Sequence, residues 1–149
     1  MLIVTLSVLA LLALTTLLHY EVLSRVDRLL PRLVIPHRTQ LLVVMFAVLL
    51  AHALEILLYG VTLYGLQWLH LGSLTAAGLP HLVNSLYFSA ETFTSLGFGD
   101  LVPVGPLRLL AGTEALNGLV LIGWSASYTY LAMERFWNEI RLPVDASDR

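Results

Sequence analysis

Apolar residues fall in three long runs separated by two more polar connections. Leu2 to Leu18 is apolar apart from Thr and Ser, and the first charged side chain is Glu21. No basic stretch precedes this run and no small-x-small site follows it, so a retained transmembrane helix is expected rather than a cleaved signal. It contains no Pro or Gly, which predicts one continuous span. The second run extends from Leu41 to about Tyr64 and is interrupted by His52 and Glu55. The third begins near Leu107, carries Arg108 and Glu114 in its outer turns, and is uncharged from Ala115 to Met133. Each is long enough for a span, which takes about 20 residues. Between them, residues 65–106 are rich in Gly and Pro and hold an apolar-aromatic stretch, Leu82 to Phe93, that is too short to cross. That segment is predicted to be re-entrant, with a short helix running from Asn84 or Ser85, either a good N-cap, to Thr94.

Composition agrees with a lipid environment. The chain is 58% hydrophobic and 12% charged, with a mean hydropathy of +0.82, whereas soluble domains carry about 25% charged residues. Eight arginines, no lysine and ten acidic residues give a net charge of −2 and no basic field for nucleic acid. The lack of Cys removes disulfides, thiolate metal sites and cysteine nucleophiles. Arg25, Arg28, Arg32 and Arg38 lie between the first two runs, Arg135, Arg141 and Arg149 follow the third, and the stretch from Thr39 to Leu107 has none. Arginine is retained on the cytoplasmic side, so the expected topology has the N-terminus outside and the C-terminus cytoplasmic. In the first connection Val22, Leu23, Val26, Leu29, Leu30 and Leu33 recur at helical spacing opposite Arg25, Asp27, Arg28 and Arg32. This fits either an interfacial helix or an extension of the first helix broken at Pro31 or Pro36.

Irregular backbone at membrane depth is tolerated only where it is buried in protein or lines a wet cavity. The re-entrant segment contains Thr92 to Asp100, reading TFTSLGFGD, followed by Leu101-Val102-Pro103. Gly97 and Gly99 reach positive φ without penalty, so successive carbonyls can turn to one side and replace the water shell of a cation. One chain supplies only part of such a ring, so this reading calls for a cyclic homo-oligomer.

This segment closely resembles the selectivity filter of the potassium channel family, commonly written TxTTVGYGD. The order of span, short helix, glycine loop and span is also similar to that family, over roughly Leu41 to Tyr130. The resemblance implies an all-α membrane protein with three transmembrane helices and a re-entrant pore helix and selectivity-filter loop between the second and third, assembled as a tetramer. Residues 1–39 would form an N-terminal helix and basic cytoplasmic connection, 40–133 the pore domain, and 134–149 a short cytoplasmic tail. It also implies a K+-selective, passive channel of bacterial type in the cell (inner) membrane, not an enzyme, with K+ as permeant ion and no cofactor. The implied ion-binding segment is Ser95, Leu96, Gly97, Phe98 and Gly99, with K+ held by the carbonyls of Ser95, Leu96, Gly97 and Phe98 and by the Ser95 hydroxyl.

Three positions depart from the family pattern. Ser95 replaces Thr and loses the β-branch that restricts χ1, Leu96 replaces Val, and Phe98 replaces Tyr, deleting a phenol that ties the filter to its surroundings. Tyr87 and Phe88 are expected to pack near Phe98, and Thr92 and Thr94 to support the filter. Glu91 and Asp100 match positions that form a carboxyl pair in some members, and such a pair is expected here; the alternative is an Asp100 solvated at the outer mouth and a Glu91 bonded to a nearby backbone N–H. Gly118 falls near a gating-hinge glycine, although small-residue packing explains a glycine there equally well.

Ionisable groups within a span are candidate functional sites by default. His52 and Glu55 share a helix face, and Glu114 and Asn117 reach a similar depth on the third span. A polar network behind the pore is expected, with a metal or proton site as the alternative. His19, His37, His70 and His81 read as ordinary interfacial histidines, and Ser125, Ser127 and Thr129 as cavity-wall or self-bonded hydroxyls. Three other functions remain open at this point: a non-selective monovalent cation channel, a membrane metal-binding or enzymatic bundle built on His52, Glu55 and Glu114, and a structural or regulatory subunit whose glycine loop is a turn.

Overall fold

The computed structural model describes residues 1–32, 34–75 and 80–141. Leu33 of the first connection and Arg149 of the tail, both used above, lie outside the described residues. Helix α1 (Leu2–Leu29) is followed by a 3-10 turn, Leu30–Arg32. Of the two readings of the first connection, extension of the first helix holds: α1 continues to Leu29 and ends where Pro31 removes a backbone donor. Helix α2 (His37–Trp68) opens at Pro36, whose fixed φ suits a helix start.

Helix α3 (Leu82–Phe93) has 12 residues and therefore spans about 18 Å, short of the ~30 Å hydrocarbon thickness. It begins earlier than Asn84, at an N-cap His81 whose side chain makes no capping bond. Ser85 is not the cap. Its hydroxyl is buried, donating to the His81 carbonyl at 3.1 Å and accepting from Gln67 Nε2 at 2.9 Å. Helix α4 (Leu107–Arg141) runs from the expected start of the third run. Two short strands, β1 (Ser73–Leu74) and β2 (Pro103–Val104), pair antiparallel with Ser73 opposite Val104. They join the segment entering α3 to the one leaving the glycine loop.

Among the described residues, three helices are long and apolar enough to cross a membrane: Leu2–Arg32, Thr39–Trp68 and Leu107–Arg135. Helix α3 packs between α2 and α4, and α1 packs on both α2 and α4. The core joins Val4, Val8 and Leu11 of α1 to Tyr59 and Leu63 of α2, Phe88 and Phe93 of α3, and Leu110 and Leu121 of α4. Leu6, Leu9, Phe46, Leu49, Leu116 and Leu119 face outward, while Thr15, His19, Glu55, Glu114 and Asn117 are buried. Apolar residues outside and hydrogen-bonded polar residues between helices are the arrangement lipid demands, since hydrocarbon satisfies no polar group.

Candidate functional site

The glycine loop grows out of the C-terminal end of α3. The Leu96 N–H donates to the Glu91 carbonyl at 2.8 Å and the Ser95 N–H to the Thr92 carbonyl at 3.0 Å, with Ser95 at φ +57°. This 6→1 and 5→2 pair is a Schellman cap, whose left-handed residue is usually Gly. Ser95 holds that place at a cost of about 1 kcal/mol for its Cβ, and a β-branched residue would fit it worse. Gly97 at φ +55° and Gly99 at φ +83° continue the alternation, so residues 95, 97 and 99 are all left-handed.

The amides fix where the carbonyls go. The Leu96 and Gly97 N–H groups both donate to the Glu91 carbonyl, and the Phe98 N–H donates to Glu91 Oε2 at 3.1 Å. In a trans peptide the C=O of one residue is antiparallel to the N–H of the next, and no cis bond occurs among the described residues. Three consecutive amides turned toward Glu91 therefore send the Ser95, Leu96 and Gly97 carbonyls the opposite way. No hydrogen bond among the described residues ends on those carbonyls.

Glu91 thus serves the loop backbone, with its side chain buried. It does not take the expected partner: no Glu91–Asp100 hydrogen bond occurs among the described residues, and Asp100 Oδ1 instead accepts the Tyr87 hydroxyl at 3.3 Å. A carboxylate next to a helix end with free amide donors gains more from those donors than from a second carboxylate, which would repel it. Partial desolvation, and after it Asp100, hold the Tyr87 phenol above its ordinary value. The Tyr87 and Phe98 rings lie parallel within 2°, their centroids 6.5 Å apart. Phe88 is buried in the core, and the Thr94 hydroxyl bonds back to the Ala90 carbonyl at 2.7 Å.

Gly118 sits where α4 crosses the end of α3. A Cβ there would lie 2.0 Å from the Phe93 carbonyl oxygen. Close packing accounts for this glycine, and α4 is continuous through it.

Apart from Glu91 and the Gln67–Ser85 pair, the buried polar residues separate into three groups. Asn117 Nδ2 donates to Thr15 Oγ1 at 2.8 Å and to the Tyr59 hydroxyl at 3.1 Å. Glu114 Oε1 meets Ser89 Oγ, which also reaches the Ile56 carbonyl at 2.9 Å, and Glu114 Oε2 has no partner among the described residues. His52 and Glu55 join residues that sequence reasoning placed elsewhere. Both oxygens of Glu55 bind histidine Nδ1 atoms at 2.9 Å, one from His52 and one from His19. Ser125 Oγ bridges both Nε2 atoms at 3.1 Å. His19 is fully buried, so its reading as an interfacial histidine is corrected. Ser127 bonds back to the Gly123 carbonyl, the self-bonded alternative. The metal set His52, Glu55 and Glu114 does not assemble, because Glu114 pairs with Ser89 on α3.

A short re-entrant helix ending in a row of unpaired carbonyls, held between two spans, defines a membrane pore-loop protein. The model of the family described as "Ion channel" matches residues 51–135, more than half of the chain, and the chain belongs to that family. It is 34% identical over 82 residues to "Inward rectifier potassium channel Kirbac3.1" of Paramagnetospirillum magnetotacticum, covering 52% of this chain and 28% of that protein. It is 47% identical over 49 residues to "Protein LctB" of Geobacillus stearothermophilus, covering 32% of this chain and 37% of that one. The chain thus spans about a third of the length of these relatives. No solved structure matches it significantly.

Proposed function

We propose that this chain is the subunit of a homotetrameric, K+-selective channel that passes ions down their gradient. The observation carrying this reading is the capture of three successive loop amides by Glu91, which frees the Ser95, Leu96 and Gly97 carbonyls on the opposite side. One row of carbonyls binds a bare cation poorly, whereas four rows about an axis replace its hydration shell. The Phe98 carbonyl and the Ser95 hydroxyl extend the row at its two ends, and Gly99 gives the backbone the turn that ends it. Helix α3 ends at this loop and directs its partial negative charge toward the ions. Helix α4 lines the path beyond the filter. The potassium channel among the relatives supports K+ as the ion. The arginines of the first connection and of the end of α4 support a cytoplasmic position for those ends and a location in the inner membrane of a cell.

Purified protein in liposomes should take up rubidium against a potassium gradient, and cross-linking should give four subunits. Gly97→Ala should abolish uptake, because a Cβ at φ +55° strains the backbone that aims the carbonyls. Uptake that persists in Gly97→Ala would refute the carbonyl filter. Equal permeation of sodium would assign the protein to the less selective cation channels.

A further inference from the structure

The ring formed by Glu55, His19, Ser125 and His52 lies outside the glycine loop and ties α1 and α2 to α4. Its four contacts are Glu55 Oε1 to His19 Nδ1, Glu55 Oε2 to His52 Nδ1, and each Nε2 to Ser125 Oγ. Glu55 and His19 are fully buried, and Ser125 is buried. The two imidazoles stack 5.3 Å apart with 29° between their planes. Ligand atoms of His19, His52 and Glu55 lie within 4.8 Å of one another, and all four ring nitrogens are already engaged by Glu55 and Ser125 through contacts that protons fill.

Counting donors fixes how many protons. The ionised Glu55 accepts from both Nδ1–H groups, so each histidine already uses one proton. If both rings are neutral, the single Ser125 hydroxyl proton faces two accepting Nε2 atoms, one stays unpaired, and the buried ring bears a net negative charge. Both outcomes are costly. With one further proton, one Nε2–H donates to Ser125 Oγ, the Ser125 hydroxyl donates to the other Nε2, all four contacts are filled, and the net charge is zero. With two further protons the hydroxyl proton has no acceptor in the ring and the net charge becomes positive. We propose that His19, His52, Glu55 and Ser125 form a binding site for a single proton, shared between the two histidines through Ser125, which fastens α4 to α1 and α2.

Other groups around the ring do not supply this proton. On α2 the nearest titratable group is Tyr59, whose hydroxyl is engaged by Asn117. On α4 Tyr128 stands three residues beyond Ser125, and Glu114, eleven residues before it, meets Ser89. Helix α3 presents the Phe93 ring to His52, and its Glu91 is bound to the Phe98 amide. The Trp124 ring covers His19. Among the described residues no arginine is bonded to the ring. The recorded bonds of Arg25, Arg28 and Arg135 lie toward the ends of α1 and α4, and that of Arg108 beside β2.

Loss of the proton frees one of the two histidines from Ser125 and so loosens α4 on one side. On the channel reading above, α4 lines the pore, and occupancy of this site therefore regulates conduction. The experiment uses the full chain, labelled with 15N-histidine, in liposomes, and reads ring N–H signals by NMR alongside rubidium flux from about pH 5 to pH 8, where histidine charge changes. Five histidines keep the assignment tractable. His19 and His52 should together carry three ring N–H protons at the acid end and two after a single loss on raising the pH. Ser125→Ala removes the bridge, so the two rings should titrate in separate steps and the pH dependence of flux should disappear. Two protons throughout, or four at the acid end, would overturn the site. Loss of the third proton with unchanged flux would overturn its link to conduction. Vesicles silent at every pH would overturn the channel reading, while the N–H count would still decide the proton site.

Discussion

Gly118→Ala separates two readings of the inner helix by the sign of a stability change. A hinge glycine in open space gains helix propensity when replaced by Ala, about 1 kcal/mol. At position 118 the added Cβ meets the Phe93 carbonyl oxygen at 2.0 Å and its carbonyl carbon at 2.8 Å. An ordinary carbon–oxygen contact needs about 3.3 Å, so α3 and α4 must part by roughly 1.3 Å, the difference from that 2.0 Å. Both colliding groups are anchored to helices and neither swings aside. The cost therefore falls at the upper end of the overpacking range, about 3 kcal/mol. Less the propensity gain, the net loss is about 2 kcal/mol. At roughly 2–4 °C per kcal/mol for a chain of this size, the Tm of the detergent-solubilised protein should fall by roughly 4–8 °C. Gly123→Ala is the control, because nothing lies within 4 Å of its Cβ, and its Tm should rise. Since Phe93 precedes the glycine loop, Gly118→Ala should also reduce rubidium flux. A Gly118→Ala protein as stable as Gly123→Ala would refute the packing account and restore the hinge.

Other substitutions test the remaining contacts. Glu91→Ala leaves the Phe98 amide without its acceptor, an expected loss of about 1–3 kcal/mol in filter stability; single-channel records should show shortened openings, and unchanged openings would contradict the assignment. Glu91→Gln keeps an acceptor but not its charge, and should fall between Glu91→Ala and the native chain. Asn117→Ala should lower the unfolding free energy by about 1–3 kcal/mol by taking its partner from the buried Tyr59 hydroxyl, which a denaturation series reads directly; Thr15 keeps its bond to the Leu11 carbonyl. Glu114→Gln should be tolerated within about 1 kcal/mol, because its amide supplies a second proton to the Ser89 hydroxyl, which has two acceptors to serve. Arg135→Ala breaks a 3.0 Å pair with Asp27 whose side chains are more than half exposed, and should change stability by less than about 1 kcal/mol.

What the sequence disclosed, and what it hid, follows from the range of each interaction. Spans are local runs of composition, so the three apolar stretches and the short Leu82–Phe93 helix were legible without neighbours. Gly97 and Gly99 were legible because glycine is the usual residue for positive φ. Ser95 was not, since a serine at a left-handed helix cap looks like any hydroxyl residue until the 6→1 bond is seen. Glu91 was marked as a functional carboxylate, but its partner is an amide seven residues on, and the backbone's choice of direction leaves no trace in composition. His19 was misread for a related reason. It stands 36 residues from Glu55 and 106 from Ser125, and no periodicity connects positions on different helices. His52 and Glu55, three apart on α2, gave half of that ring. A histidine within one turn of the charged end of an apolar run was the one available cue for the other half.

The central claim, that four backbone rows conduct bare K+, is tested most directly by recording purified protein in a planar bilayer with potassium on one side and sodium on the other. The account predicts unitary currents that reverse at a strongly K+-selective potential and vanish in Gly97→Ala. A bilayer that stays tight at every voltage, or currents that reverse at zero, would contradict it.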